Sequence, residues 1–333
     1  MDEYISLDYG SGGRKTAALI QELILPRFGN PALNSLGDGA VLPGAEQLVF
    51  STDSFVVSPL FFPGGNIGKL AVCGTLNDVA MAGGEPKYLS FSLVIGEGFP
   101  TKDLVRILDT AAEEAKKAGV SVVTGDTKVV EKGSCDGLFI NTAGIGVLKR
   151  PGLASKAIRP GDAVLVSGPL GNHGLTILLA RHPQMLEAEL MSDCANLAPM
   201  AAALYSLGED LRVLRDPTRG GLATVCAELA ESAGLGIELE EKALPIDPAV
   251  RTACDLLGLD PLYSANEGKL IAIVSADKAE EALSLLRRFP EGKMAAVIGE
   301  ITNDHPSYTV LKTPWGSGRL LTALAGAQFP RIC

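Results

Sequence analysis

The sequence ends on a thiol, Cys333, in the run Gln328-Phe329-Pro330-Arg331-Ile332-Cys333. A glycine-flanked serine, Gly316-Ser317-Gly318, loosens the approach, and the residues from 319 onward would reach roughly 50 Å if extended. The expectation is a mobile tail over 316–333 whose thiol visits another site. Four aspartates lie in small-residue settings: Asp38 in Gly37-Asp38-Gly39, Asp53 in Ser51-Thr52-Asp53-Ser54, Asp78 in Asn77-Asp78-Val79 and Asp126 in Gly125-Asp126-Thr127. Carboxylates with room beside them, completed by phosphate oxygens, suit a hard cation such as Mg²⁺. Asp78 falls in an otherwise apolar helical run, where an unpaired carboxylate is costly and calls for a cation or a donor.

Gly10-Ser11-Gly12-Gly13 precedes a helical stretch, and glycines before a helix offer N–H groups to an anion. Arg14 stands where a Walker A loop has glycine, and the dinucleotide fingerprint also fails. Gly168-Pro169-Leu170-Gly171-Asn172-His173-Gly174 and Asp216-Pro217-Thr218-Arg219-Gly220-Gly221 read as further phosphate loops or as helix caps.

These groups need a scaffold. The 333 residues imply two domains with ordinary cores. With 47% hydrophobic and 20% charged residues the chain reads as globular. No signal-like start or apolar membrane run is present, so a cytoplasmic protein without a membrane partner is expected. A net charge of −10 argues against binding nucleic acid. The six cysteines contain no C-x-x-C and the three histidines do not cluster near them, which disfavours zinc and a disulfide framework.

Helical patterns run over 14–28, 66–81 and 102–118, and strands over 48–57, 88–95, 120–124 and 137–147. Pro-Gly turns at 151–152 and 160–161 mark a boundary. Beyond it, strands at 163–167, 236–239, 270–274 and 295–301 alternate with helices near 174–182, 195–206, 220–233 and 278–288. The expected organisation is α/β (α+β): a Gly-rich loop and lead-in helix over 1–34, an N-terminal domain over 35–150, an α/β domain with a helix-flanked sheet over 160–315, and the tail over 316–333.

In order, L-G-D-G-A, S-T-D, N-D-V-A-M-A-G-G-E-P, T-G-D-T and D-P-T-R-G-G resemble the ATP-dependent aminoimidazole ribonucleotide synthetase superfamily, which includes selenophosphate synthetase and thiamine-monophosphate kinase. F-F-P-G-G-N-I-G-K-L-A, T-G-D-T-K-V-V, F-I-N-T-A-G, A-N-E-G-K-L and the final P-R-I-C resemble, within it, the HypE family of carbamoyl dehydratases in [NiFe]-hydrogenase maturation.

The resemblance implies a PurM-like fold whose N-terminal sheet pairs into a barrel across a homodimer. It implies that a partner carbamoyltransferase loads Cys333, that ATP drives dehydration of the S-carboxamide to a thiocyanate, and that the cyano group passes to an iron-carrying scaffold. Matched residue by residue, Asp38, Asp53, Asp78 and Asp126 are the metal positions. Gly10, Ser11, Gly12, Gly13, Thr52, Asn66 and Asp126 are the ATP positions, and Lys128 and Glu267 belong to the dehydration centre. Glu267 suits a base, and Lys128 a base or an electrostatic stabiliser. Arg331 either favours the thiolate or docks the tail. Two other readings stand beside this one. Another ATP-dependent phosphoryl-transfer enzyme of the superfamily would leave the tail without a task, and selenophosphate synthetase would want a cysteine in residues 9–16, which have none. A non-catalytic thiol carrier or scaffold would need a better metal site than one thiol.

Overall fold

The computed structural model describes residues 1–324, 326 and 331–333. A lead-in helix spans α1 (Arg14–Leu19), a π turn (Ile20–Ile24) and α2 (Leu25–Phe28). It is followed by β1 (Leu48–Phe55), β2 (Phe61–Phe62), β3 (Gly65–Asn66), α3 (Ile67–Met81), β4 (Gly84–Gly96), α4 (Thr101–Ala118), β5 (Ser121–Thr124), β6 (Thr127–Val130) and β7 (Leu138–Leu148). The first sheet runs β1-β7-β4-β5, with β6 also on β4. β1 and β7 are antiparallel, pairing Asp53 with Thr142.

Among the described residues, β1 is covered on one face and exposed on the other. Along β1 the buried and half-buried positions are Val49, Ser51, Asp53 and Phe55, while Leu48, Phe50, Thr52 and Ser54 face out. The covering helix α4 buries Leu104, Ile107, Leu108, Ala111 and Ala115, the three-and-four spacing of one helical stripe. It stops at Gly119, whose φ of +67° makes the left-handed cap. By contrast α3 is buried on nearly every side because it lies between the two domains. Asn77 on α3 ties them together: its Oδ1 accepts from Leu197 N at 2.7 Å and its Nδ2 donates to Ala195 O at 3.0 Å.

The second domain comprises β8 (Ala163–Val166), α5 (Asn172–Arg181), α6 (Ala198–Leu204), β9 (Leu211–Arg215), α7 (Gly221–Ala233), β10 (Gly236–Glu240), α8 (Pro248–Leu257), β11 (Ile271–Val274), α9 (Ala279–Leu286), β12 (Ala296–Thr302), β13 (Thr309–Lys312) and β14 (Gly318–Leu321). Its sheet runs β14-β13-β10-β12-β8-β11-β9. Alternation sorts the central strands: Val164 and Val166 pack with α7, Ala163 and Leu165 with α6 and α9. Covered on both faces, β8 and β11 are continuous hydrophobic runs.

The loosening expected at 316–318 is instead a hairpin turn. Thr313 N donates to Ser317 O at 2.8 Å, Gly316 takes φ +83°, and β14 pairs antiparallel with β13 from Gly318 to Leu321. The flexible tail expected over 316–333 therefore does not begin there; its part at 325 and 327–330, including Pro330, lies outside the described residues. Among the described residues no helix is long and apolar enough to cross a membrane.

Candidate functional site

The structure distributes the residues singled out in the sequence over two neighbouring places. The first is a cavity of about 370 Å³ between the glycine loop, the lead-in helix and the β5–β6 turn, lined among others by Gly10, Gly12, Thr16, Gly37, Gly39, Phe91, Asp126 and Lys128. Glycine is required where backbones meet: a Cβ on Gly10 would lie 2.3 Å from Val129 N, and one on Gly125 2.1 Å from Phe91 O. Gly12 has φ +80°, and its N–H donates to Thr16 Oγ1 at 3.0 Å. Ser11 Oγ donates to Asp8 O at 2.9 Å, and Gly13 caps α1. Asp126 Oδ1 accepts from Thr127 N at 2.8 Å and from Lys128 Nζ at 3.0 Å, and both side chains stay exposed. Asp38 is exposed between the two lining glycines.

The second place is the seam between the domains, where Asp53, Asp78, Asp216, Arg219, Glu267 and Cys333 meet. Asp78 accepts from Ser51 Oγ at 2.8 Å. Burial raises its pKa, and the nearby Asp53 raises it further. Burial also pushes Asp216 up to about 7, with Asp78 the next cause. Glu267, 3% exposed, is held well above the carboxylate range by burial first and then by Asp216, Asp193, Asp53 and Asp78. Cys333 is pushed up to about 12 by burial and then by Glu267, with Arg219 opposing. A cavity of about 730 Å³ lined by Ser51, Asp78, Arg215, Asp216, Thr218 and Arg219 opens onto this cluster.

Asn266 explains how loops far apart in sequence arrive together. Its Oδ1 accepts from Gly171 N at 2.7 Å, and its Nδ2 donates to Pro217 O at 3.0 Å and to Ser264 O at 3.1 Å. Both loops suspected of cradling phosphate are thus pinned to the segment that carries Glu267. Gly268 allows the approach, because a Cβ there would fall 1.7 Å from Asp193 O. Asp193 accepts from Glu267 N at 3.1 Å and pairs with the buried Lys269 at 3.3 Å.

Cys333 is docked. Val56 N donates to its carbonyl at 3.1 Å, and Ile332 is 6% exposed. Arg331 donates from Nη1 to Asp136 at 2.6 Å and from Nε to Val56 O at 3.0 Å, so in this arrangement it docks the segment. Lys128, paired with Asp126 at the first cavity, is not among the groups that shift Cys333 or Glu267. Thr52 lies on the outward face of β1 and donates to Thr142 O at 3.0 Å. Asn66, matched to the nucleotide, instead caps α3: Oδ1 accepts from Gly68 N and Lys69 N, and Nδ2 donates to Thr110 Oγ1 at 2.9 Å. Its side chain is spent on the fold, and it lines neither cavity.

Asp216, Arg219 and His173 were seen in sequence only as parts of candidate phosphate loops, and Asp193 carried no signal. Among the described residues no three His, Cys, Asp or Glu side chains form a ready metal cage. Asp78 and Asp216 are nonetheless both raised by burial and by a neighbouring carboxylate, Asp53 for the first and Asp78 for the second, although Arg215 opposes the shift of each. That charge excess fits a hard cation whose remaining ligands come from phosphate oxygens and water.

Residues 36–148 match the N-terminal and residues 159–312 the C-terminal domain model of AIR synthase related proteins. Carbamoyl dehydratase HypE of Azotobacter vinelandii is 49% identical over 334 residues, covering 99% of this chain and 97% of that protein. A crystal structure of hydrogenase maturation protein HypE in complex with ATP superposes with a TM-score of 0.95 at 47% identity, covering 98% of this chain and 99% of that one. A HypE–HypF complex matches with a TM-score of 0.81 at 45% identity, over 92% of this chain and all of that one. With both domains matched and nearly the whole length shared, the chain belongs to the HypE family of carbamoyl dehydratases.

Proposed function

We propose that the protein dehydrates an S-carboxamide carried on its own Cys333 to a thiocyanate at the expense of ATP, supplying the cyanide ligand of a [NiFe]-hydrogenase iron. The observation that carries this reading is the docking of Cys333 against Glu267 inside an acidic seam. In the balanced reaction the carboxamide oxygen attacks the γ-phosphorus, ADP leaves, and one N–H proton is lost to give an S-linked iminophosphate. Expulsion of phosphate with loss of the second proton gives S–C≡N. Positioning and charge stabilisation carry the phosphoryl step.

Two N–H protons need acceptors. Glu267 is buried beside the thiol and takes a proton once its carboxylate forms; its raised pKa keeps it neutral until then, able to donate a hydrogen bond to the carboxamide. Gly10, Ser11, Gly12, Gly13 and Asp126 cover the nucleotide, and Lys128 stabilises developing negative charge at the first cavity. Asp53 and Asp78, with Asp38 and Asp126 on the nucleotide side, would hold Mg²⁺, which when bound neutralises the phosphate oxygens. Burial of Glu267 and Ile332 beside the thiol limits the access of water, which would hydrolyse the iminophosphate.

A thiol pushed up to about 12 is a poor nucleophile. Loading by a carbamoyltransferase partner, the counterpart of HypF in the related complex, therefore takes place on a released segment. The neutral S-carboxamide then docks without the cost of burying a thiolate near carboxylates. An iron-carrying scaffold accepts the cyano group.

A second copy completes the molecule as a homodimer. Phe50 is 66% and Leu48 54% exposed on the outer face of the first sheet, and among the described residues β1 is its edge strand. Pairing two such sheets into a barrel would cover both. The functional reading is tested by phosphate release from Mg²⁺-ATP before and after carbamoylation. Release stimulated only in the loaded protein supports it, and equal release in both forms favours another phosphoryl-transfer reaction.

A further inference from the structure

Residues 331–333 lie antiparallel to residues 56–58. Ser58 N donates to Arg331 O at 3.3 Å and Val56 N to Cys333 O at 3.1 Å. Arg181 donates from Nη2 to both Arg331 O, at 2.8 Å, and Ser58 O, at 2.7 Å, clamping the two strands together. The carbonyl between them, Ile332 O, is met by His173 Nε2 at 2.7 Å. A carbonyl can only accept, so Nε2 carries the hydrogen and Nδ1 accepts from Ser192 Oγ at 2.8 Å. Ser192 Oγ in turn accepts from Cys194 N at 3.1 Å, which leaves its proton for the ring.

His173 is fully buried, with Phe62 edge-on at 5.7 Å, and burial holds the ring neutral. Its Nε2–H has the docked segment as its partner. With the segment released, a donor in a dry site loses that bond, so the ring favours the docked state. The same first turn of α5 also sets Glu267: Gly171 N donates to Asn266 Oδ1 at 2.7 Å and Gly174 N to Ala265 O at 3.0 Å, and these are the two residues before Glu267. One helical turn therefore holds both the thiol-bearing segment and the acid opposite it.

We propose that His173 is a positioning residue: by latching Ile332 O it fixes the register at which Cys333 is presented to Glu267, with Arg181 holding the neighbouring carbonyl. This rests on the function proposed above, and its test separates the two. In the full chain, alkylation of Cys333 by iodoacetamide, read by mass spectrometry, reports docking without ATP or a carbamoyl group. His173→Leu should speed alkylation by about tenfold or more, since the released thiol regains its ordinary ionisation. His173→Gln keeps an N–H donor and should stay near wild type.

In single turnover, the leucine variant should load normally but dehydrate about tenfold more slowly, with glutamine restoring most of the rate. A folded His173→Leu protein that alkylates at the wild-type rate overturns the latch. Should that variant not fold, Arg181→Met must speed alkylation instead, and an unchanged rate there overturns the proposal equally. A wild-type protein that never dehydrates its loaded thiol sinks the proposed function, while faster alkylation in the variant would still uphold the latch.

Discussion

Burial holds both Glu267 and Cys333 toward their protonated forms, reinforced by Asp216 and Asp193 at the carboxyl and by Glu267 at the thiol. A carboxyl whose pKa is raised in the folded chain binds a proton that the unfolded chain has already lost. Its effect is to lower stability as pH rises from the ordinary carboxyl range through the raised value. Glu267→Gln removes that dependence, each pH unit of separation being worth about 1.4 kcal/mol and each kcal/mol roughly 2–4 °C for a domain-sized unit. The melting temperature of the glutamine variant should exceed that of wild type by more at about pH 8 than at about pH 5; parallel curves would contradict the burial argument. Cys333 was readable in the sequence as a cysteine at the end of the run, whereas Glu267 was reached only through the family resemblance of A-N-E-G-K-L. Asp216 was not readable, since Asp-Pro looks like any turn. Only the folded chain shows that Asp78, 138 positions earlier, lies beside it.

Among the elements, α3 shows where motif matching and local physics part. Asn66 precedes a helix, satisfies two of its first N–H groups and bonds Thr110, a capping role that its position before Ile67 foreshadows. Asn66→Ala should cost about 1 kcal/mol or somewhat more in denaturant unfolding and leave Mg²⁺-ATP affinity unchanged in calorimetry, whereas Asp126→Asn should weaken that affinity with the fold intact. A large loss of nucleotide binding from Asn66→Ala would return that residue to the ATP site. Strong periodicity made α4 legible, with Gly119 marking its end, and continuous apolar runs did the same for β8 and β11, whereas the buried β9 was not expected. The hairpin β13–β14 was not legible: Gly316-Ser317-Gly318 fits a tight turn as well as a loose linker, and only the pairing partner decides. β6 was missed because four residues after a turn carry too little pattern.

For the whole molecule, the exposed face of β1 requires an explanation that a single chain does not supply. Phe50→Glu, on that face and away from the docked segment, should convert a homodimer into monomers in light scattering, while a monomeric wild type at micromolar concentration would remove the barrel. The two-domain division rests on Pro-Gly turns whose glycines take φ +81° and +88° at Gly152 and Gly161, as such turns require. What joins the domains into one reaction centre is Asn77 and the docked residues 331–333, while Asn266 gathers the loops of the second domain, contacts that no local pattern announces. On this reading the assembled seam converts a carboxamide on Cys333 into a nitrile. The most direct measurement is the mass of the Cys333 peptide after carbamoylated protein is incubated with Mg²⁺-ATP. The account predicts a peptide lighter by one water with an equal amount of phosphate released, and no such product from Cys333→Ala; loss of water at another cysteine, or ATP turnover with the carboxamide left intact, would contradict it.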